Sequence, residues 1–107
     1  MSDEILEKVK RSAQKRILFL PHTIQQMSRP ERMITTKEVE IVVTTGELIE
    51  DYPDDVRGHS CLLLGYGIES RVIHVVCSPK KDYLAIITAY LPNQNQWLSD
   101  FKRRLPL

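Results

Sequence analysis

The side chains best suited to acid–base chemistry are three histidines, His22, His59 and His74, and Tyr90 at the end of an apolar run. The histidines show neither HxH nor HExxH spacing. Cys61 and Cys77 lack CxxC spacing, so no metal is expected. Both cysteines sit in apolar runs and read as small buried hydrophobes, with a disulfide disfavoured in a reducing compartment. No Gly-rich phosphate loop or GxSxG elbow occurs, and no cofactor is expected. These residue types could perform metal-free proton transfer, with imidazole as the natural base near neutral pH and guanidinium groups to hold an anion.

His22 follows Pro21 at the start of a short helix, where the positive dipole end disfavours imidazolium and keeps the ring a neutral base. The competing reading has the same ring locking the junction through a backbone hydrogen bond. His74 interrupts the apolar strand Val72–Val76, either as a hydrogen-bonded core residue or as a group presented on an open face. Tyr90 is a site residue at a strand end or an anchoring core tyrosine. Arg29, Arg32 and Arg71 are candidates to hold phosphate, although a rim arginine paired to an acid is the plainer reading of Arg71. Arg103 and Arg104 extend that track if the chain end folds back. Trp97 offers a plane for stacking a base, and its spacing with Phe101 marks it more strongly as a core anchor.

The elements that position these groups begin with a helix capped by Ser2, whose Ile5, Leu6, Val9 and Ala13 share one face. Ile17–Leu20 suits a buried strand or extended entry segment, and a brief helix follows from Pro21 and stops at Pro30. Thr35 and Glu38 form a capping box, and Ile34 and Val39 a hydrophobic staple. Together they predict a helix over Thr36–Thr45 that ends at Gly46 in a left-handed conformation. Four strands are predicted at Leu48–Tyr52, Cys61–Tyr66, Arg71–Ser78 and Tyr83–Tyr90, joined by short turns and therefore antiparallel. A last helix capped by Asn93 or Asn95 places Trp97 and Phe101 on one face. The fold class is α+β: N-terminal helices, then a curled antiparallel sheet of about four strands, then a short C-terminal helix. The helices cover one sheet face and leave the other for a ligand.

Register decides what His74 faces. With Lys80 and Lys81 central in the turn, His74 faces Ile87 and Arg71 faces Tyr90; a loop one residue longer sets His74 opposite Thr88, near Tyr90.

With 107 residues and 42% hydrophobic content, the chain fits one domain, residues 1–107. No apolar run reaches the length of a membrane span and the acidic start lacks signal-peptide order, so a cytoplasmic address is expected. The formal charge of +1 does not announce a nucleic-acid binder, so any basic site must be local. Basic residues nevertheless crowd the first helix, the turn at Lys80-Lys81 and the tail Lys102-Arg103-Arg104, while Glu47, Glu50, Asp51, Asp54 and Asp55 form an acidic stretch.

Several segments in order carry a family resemblance: His22–Met27, Tyr52–Asp55, Ser60–Gly65, His74–Val76 and Ile87–Pro92 followed by Trp97. From about Ile17 to Arg103 the chain resembles the domain-of-unknown-function family numbered 4258, which is similar to BrnT-like and RelE-like toxins. Where that family carries Arg-Met after its first histidine, this chain has Gln26-Met27, with Arg29 and Arg32 following. The resemblance implies a metal-independent endoribonuclease toxin, RNA as substrate, and a zinc-finger or helix-turn-helix antitoxin as partner. Such cleavage needs a base, cations and a proton donor, which selects His22, His74 and Tyr90 with Arg29, Arg32 and Arg71. It predicts that His22, Arg29 or Arg32, His74 and Tyr90 share one cleft. The alternative is a non-catalytic protein-binding module, for which the histidines are scattered and structural.

Overall fold

A computed structural model of the chain describes residues 4–106; the expected Ser2 cap lies outside them. Helix α1 spans Glu4–Lys15 and buries Ile5, Val9 and Ser12. Strand β1 (Ile17–Phe19) leads into helix α2 (Pro21–Met27), and α3 runs over Thr36–Thr45. Strands β2 (Glu47–Tyr52), β3 (Ser60–Tyr66), β4 (Val72–Pro79) and β5 (Leu84–Tyr90) complete one sheet in the order β1-β5-β4-β3-β2.

The α+β class and the antiparallel run β2–β5 agree with the sequence reading. The sheet has five strands, however, and is mixed, because β1 pairs parallel to β5 with Ile17 opposite Leu84. Three residues of apolar sequence signal a strand without naming its neighbour.

α3 has the predicted bounds because its start is locally encoded. The Thr35 hydroxyl accepts from the Glu38 N–H at 3.1 Å, and Glu38 Oε1 accepts from the Thr35 N–H at 3.0 Å. Its end differs: Gly46 has φ −74°, extended rather than left-handed. A Cβ there would lie 2.4 Å from the Val42 carbonyl oxygen and 2.8 Å from that of Leu64, so close packing on β3 demands the glycine.

The core lies between the helices and one sheet face, where Val39, Val42 and Val43 of α3 meet Leu63, Ile73, Val75 and Ile86. Cys61 and Cys77 face each other across β3 and β4 in this layer, both free and fully buried. Burying valines and isoleucines in this way supplies the driving force for a helix whose β-branched residues are weak helix formers.

Neither anticipated register of the β4–β5 hairpin occurs. The Lys80 N–H donates to the Tyr83 carbonyl, making Lys81 and Asp82 the central turn residues and pairing Pro79 with Leu84. A bulge at Val76/Cys77 shifts the ladder again, so His74 pairs with Tyr90 and Val76 with Thr88. Ile87 is the extra residue, which lets Ile86 and Ala89, three positions apart, both enter the core.

The last helix does not form. Asn93 starts one turn, its carbonyl accepting from the Trp97 N–H, and then the chain folds back: the Leu98 N–H donates to the Arg103 carbonyl and Trp97 bridges Arg104. Side-chain oxygens of Asn93 and Asp100 accept from the N–H groups of Asn95 and Lys102, offering the backbone local bonds that compete with a helix. This strap still places Trp97, 2% exposed, against the second sheet face, so that face is partly covered.

Candidate functional site

His74 is fully buried beneath the strap. Its Nε2 lies 2.8 Å from the Phe101 carbonyl oxygen. A carbonyl only accepts, so Nε2 carries the proton and Nδ1 is left to accept from the Tyr90 hydroxyl at 3.3 Å. Trp97 meets the imidazole edge-on at 4.6 Å. Burial pushes the His74 pKa down, against the Phe101 carbonyl and the charge of Glu50, which act to raise it. The ring is therefore neutral and its proton committed to the strap. Phe101 itself adopts φ 58°, a left-handed conformation unusual for a bulky residue.

Arg71 is likewise engaged. Its guanidinium donates to both Glu38 oxygens, at 3.1 and 2.7 Å, and to the carbonyls of Arg32 and Met33. Burial opposes ionisation of Glu38, but the bonds from Arg71, the Ile68 N–H and the Thr35 N–H outweigh it and lower its pKa to about 2. Arg71 thus joins α3 to β4, and holding phosphate would break that joint.

The arginines near Pro30 diverge. Arg29 is exposed and makes no side-chain hydrogen bond among the described residues. Arg32 reaches the sheet, its Nη1 donating to the Ala89 carbonyl at 3.0 Å. Gln26 accepts from the Thr88 hydroxyl, so the residue standing in place of the family arginine and Arg32 meet adjacent residues of β5. Arg32 and Tyr90 line a cavity of about 320 Å³ with Glu31, Asn93 and Gln96.

His22, on α2, lies beside another part of β5. Thr23, fully buried, donates to the carbonyls of Ile86 and Ile87 and so pins α2 to the bulge. This leaves His22 exposed, with no side-chain hydrogen bond among the described residues. It lines a cavity of about 190 Å³ with Arg57, Lys80, Ser78, Ala85 and Ile87. The expected single cleft therefore resolves into two, one with Arg32 and Tyr90 at the end of β5 and one with His22 beside Ala85–Ile87 of that strand, and His74 lines neither.

The partners of His22 were missed in the sequence. Lys80 stood out only as half of a basic turn, and Arg57 not at all. Lys80 Nζ donates to the Arg57 carbonyl at 2.6 Å, and Arg57 is held by Asp55 through two guanidinium nitrogens. Gly58, at φ 103°, is the one legible signal: a Cβ there would fall 2.6 Å from Lys80 Nζ. Two ammonium protons of Lys80 and three guanidinium N–H groups of Arg57 stay available to a ligand.

A family model decides the chain's kinship, matching residues 19–91, more than half its length: Domain of unknown function (DUF4258). The chain belongs to the DUF4258 family. No curated protein and no solved structure gives a significant match. The matched DUF4258 segment contains His22, Arg32, Arg57, His74, Lys80 and Tyr90 and stops before Trp97, so the strap over His74 lies outside it. No helix among the described residues is long and apolar enough to cross a membrane.

Proposed function

We propose that this DUF4258 protein is a metal-independent endoribonuclease of the toxin kind, acting in the cytoplasm and held in check by an antitoxin, with His22 as its general base. The observation that carries the reading is the company of His22: an exposed imidazole without an internal partner, sharing one cavity with Lys80 and Arg57. The resemblance of the family to BrnT-like and RelE-like toxins supplies the reaction class. Nε2 or Nδ1 of His22 takes the proton of a ribose 2′-hydroxyl as its oxygen attacks the adjacent phosphorus. Lys80 and Arg57 stabilise the charge that builds on the phosphorane, and the departing 5′-oxygen takes a proton from water, leaving a 2′,3′-cyclic phosphate. Tyr90, at the end of β5, and Arg32, which reaches that strand from the segment before α3, fit a neighbouring nucleotide.

The test is tightly controlled bacterial expression of wild type and His22→Ala, with new 5′ ends mapped in total RNA. Growth arrest with site-specific cleavage, lost in a variant of unchanged thermal stability, is the expected result. Equal arrest from His22→Ala removes His22 from the mechanism.

One observation favours a second reading, a protein-binding module without catalysis. His74, Arg71 and Arg32 spend their donors on internal carbonyls and carboxylates, and the three histidines stand apart. No arrest and intact RNA from well-folded protein would select it.

A further inference from the structure

The cations of this chain are unevenly matched. Glu47 pairs with Lys102, Glu50 with Arg104, Asp51 with His59, Asp55 with Arg57 and Asp100 with Arg103, so the acidic stretch is largely consumed by the strap and its surroundings. Lys8, Arg11, Lys15, Lys80 and Lys81 take part in no ion pair among the described residues, and all five line one cavity of about 300 Å³ between α1 and the β4–β5 turn. Glu4 and Glu7 on the same helix and Asp82 beside Lys81 are the nearest acids in sequence, and none is in ion-pair contact with these cations.

The cleft is built rather than accidental. Ser12 occupies the apolar stripe of α1, 5% exposed, and its hydroxyl donates to the Lys80 carbonyl at 2.7 Å. Lys15 Nζ donates to the Lys81 carbonyl at 2.8 Å. The two contacts clamp the turn to the helix and fix Lys80 and Lys81 opposite Lys8 and Arg11, which lie about one helical turn apart. Gathering like charges costs energy unless an anion is to be received, and Lys80 lines both this cleft and the His22 cavity.

We propose that the cleft between α1 and the β4–β5 turn binds the phosphodiester backbone of single-stranded RNA and leads it past Lys80 to His22. This assignment deepens the ribonuclease reading and rests on it for the direction of the strand. Lys8, Arg11 and Lys81 hold phosphates outside the scissile one, without reading bases. The cleft lacks an aromatic platform, so binding is sequence-tolerant and strongly weakened by salt.

The experiment measures fluorescence anisotropy of a labelled single-stranded RNA against purified full-length protein across a salt series. Two doubly substituted variants carry the same charge change: Lys8→Gln/Lys81→Gln in the cleft and Lys10→Gln/Lys37→Gln outside it. The cleft variant is expected to bind at least tenfold more weakly, with the slope of log K against log salt reduced by about 1.4, two contacts at about 0.7 each. The outside pair is expected to keep both slope and affinity. Equal loss in the two variants, or unchanged binding by the cleft variant, overturns the proposal. So does a wild type that ignores RNA and sediments with phosphatidylserine vesicles, since that makes the ligand a lipid surface. Cleavage of the same RNA by wild type and by the cleft variant separates the two readings: RNA binding that persists without any cleavage by wild type keeps the cleft and sinks the nuclease, whereas cleavage unaffected by the cleft variant does the reverse.

Discussion

His22 and His74 show how position assigns different work to one side-chain type. His74 gives its proton to the Phe101 carbonyl and its lone pair to Tyr90, so removing the ring strands two polar groups beneath Trp97. His74→Ala is expected to cost about 2 to 4 kcal/mol in urea unfolding, from the cavity and the orphaned partners together. His22→Ala, which removes no internal hydrogen bond, is expected to unfold within about 0.5 kcal/mol of wild type. Both expectations at His74 were open in the sequence. An apolar strand with one histidine is compatible with either, and the residues that decide it, Phe101 and Trp97, arrive from a segment whose path was misread.

At the scale of elements, legibility followed the range of the contact. α3 was readable to the residue because Thr35 and Glu38 bond to each other across three positions. The β4–β5 register was not, since a bulge two strands deep is set by which apolar residues the core accepts. The strap failed as a helix because Asn93 and Asp100 satisfy neighbouring backbone groups instead. Glu38 also ties its helix to the loop before β4, and Gly67 makes this possible: a Cβ there would sit 2.1 Å from Glu38 Oε2 and 2.5 Å from Ile73 Cδ1. Gly67→Ala is expected to destabilise by about 1 to 3 kcal/mol in denaturant titration, the usual penalty of overpacking a tight site.

Across the whole molecule, two buried groups, His74 and Glu38, are among those that make stability fall in acid. Burial lowers the His74 pKa, so below about 6.5 the unfolded chain binds a proton that the native one resists, and stability falls as pH drops. Glu38 then adds a second loss: its native pKa of about 2 lies below the ordinary 4.5, so its contribution is whole above 4.5 and disappears as pH approaches 2. That second step is worth about 3 kcal/mol. Urea unfolding from pH 7 to pH 2 is expected to show both declines, the upper one absent in His74→Leu and the lower one reduced in Glu38→Gln, the remainder coming from Glu50, Asp55 and Asp100, whose carboxyls are also held below the usual range by their bonded partners. The facing thiols at the centre of the sheet supply an internal clock for the same transitions. Hydrogen bonding to Cys61 and burial both raise the Cys77 pKa, which leaves that sulfur protonated and inert while β3 and β4 stay paired. A thiol reagent therefore reaches it only when the sheet parts. Under conditions where labelling outruns reclosing, its rate of modification counts the complete openings of the molecule while remaining blind to fraying of the strap or of α1.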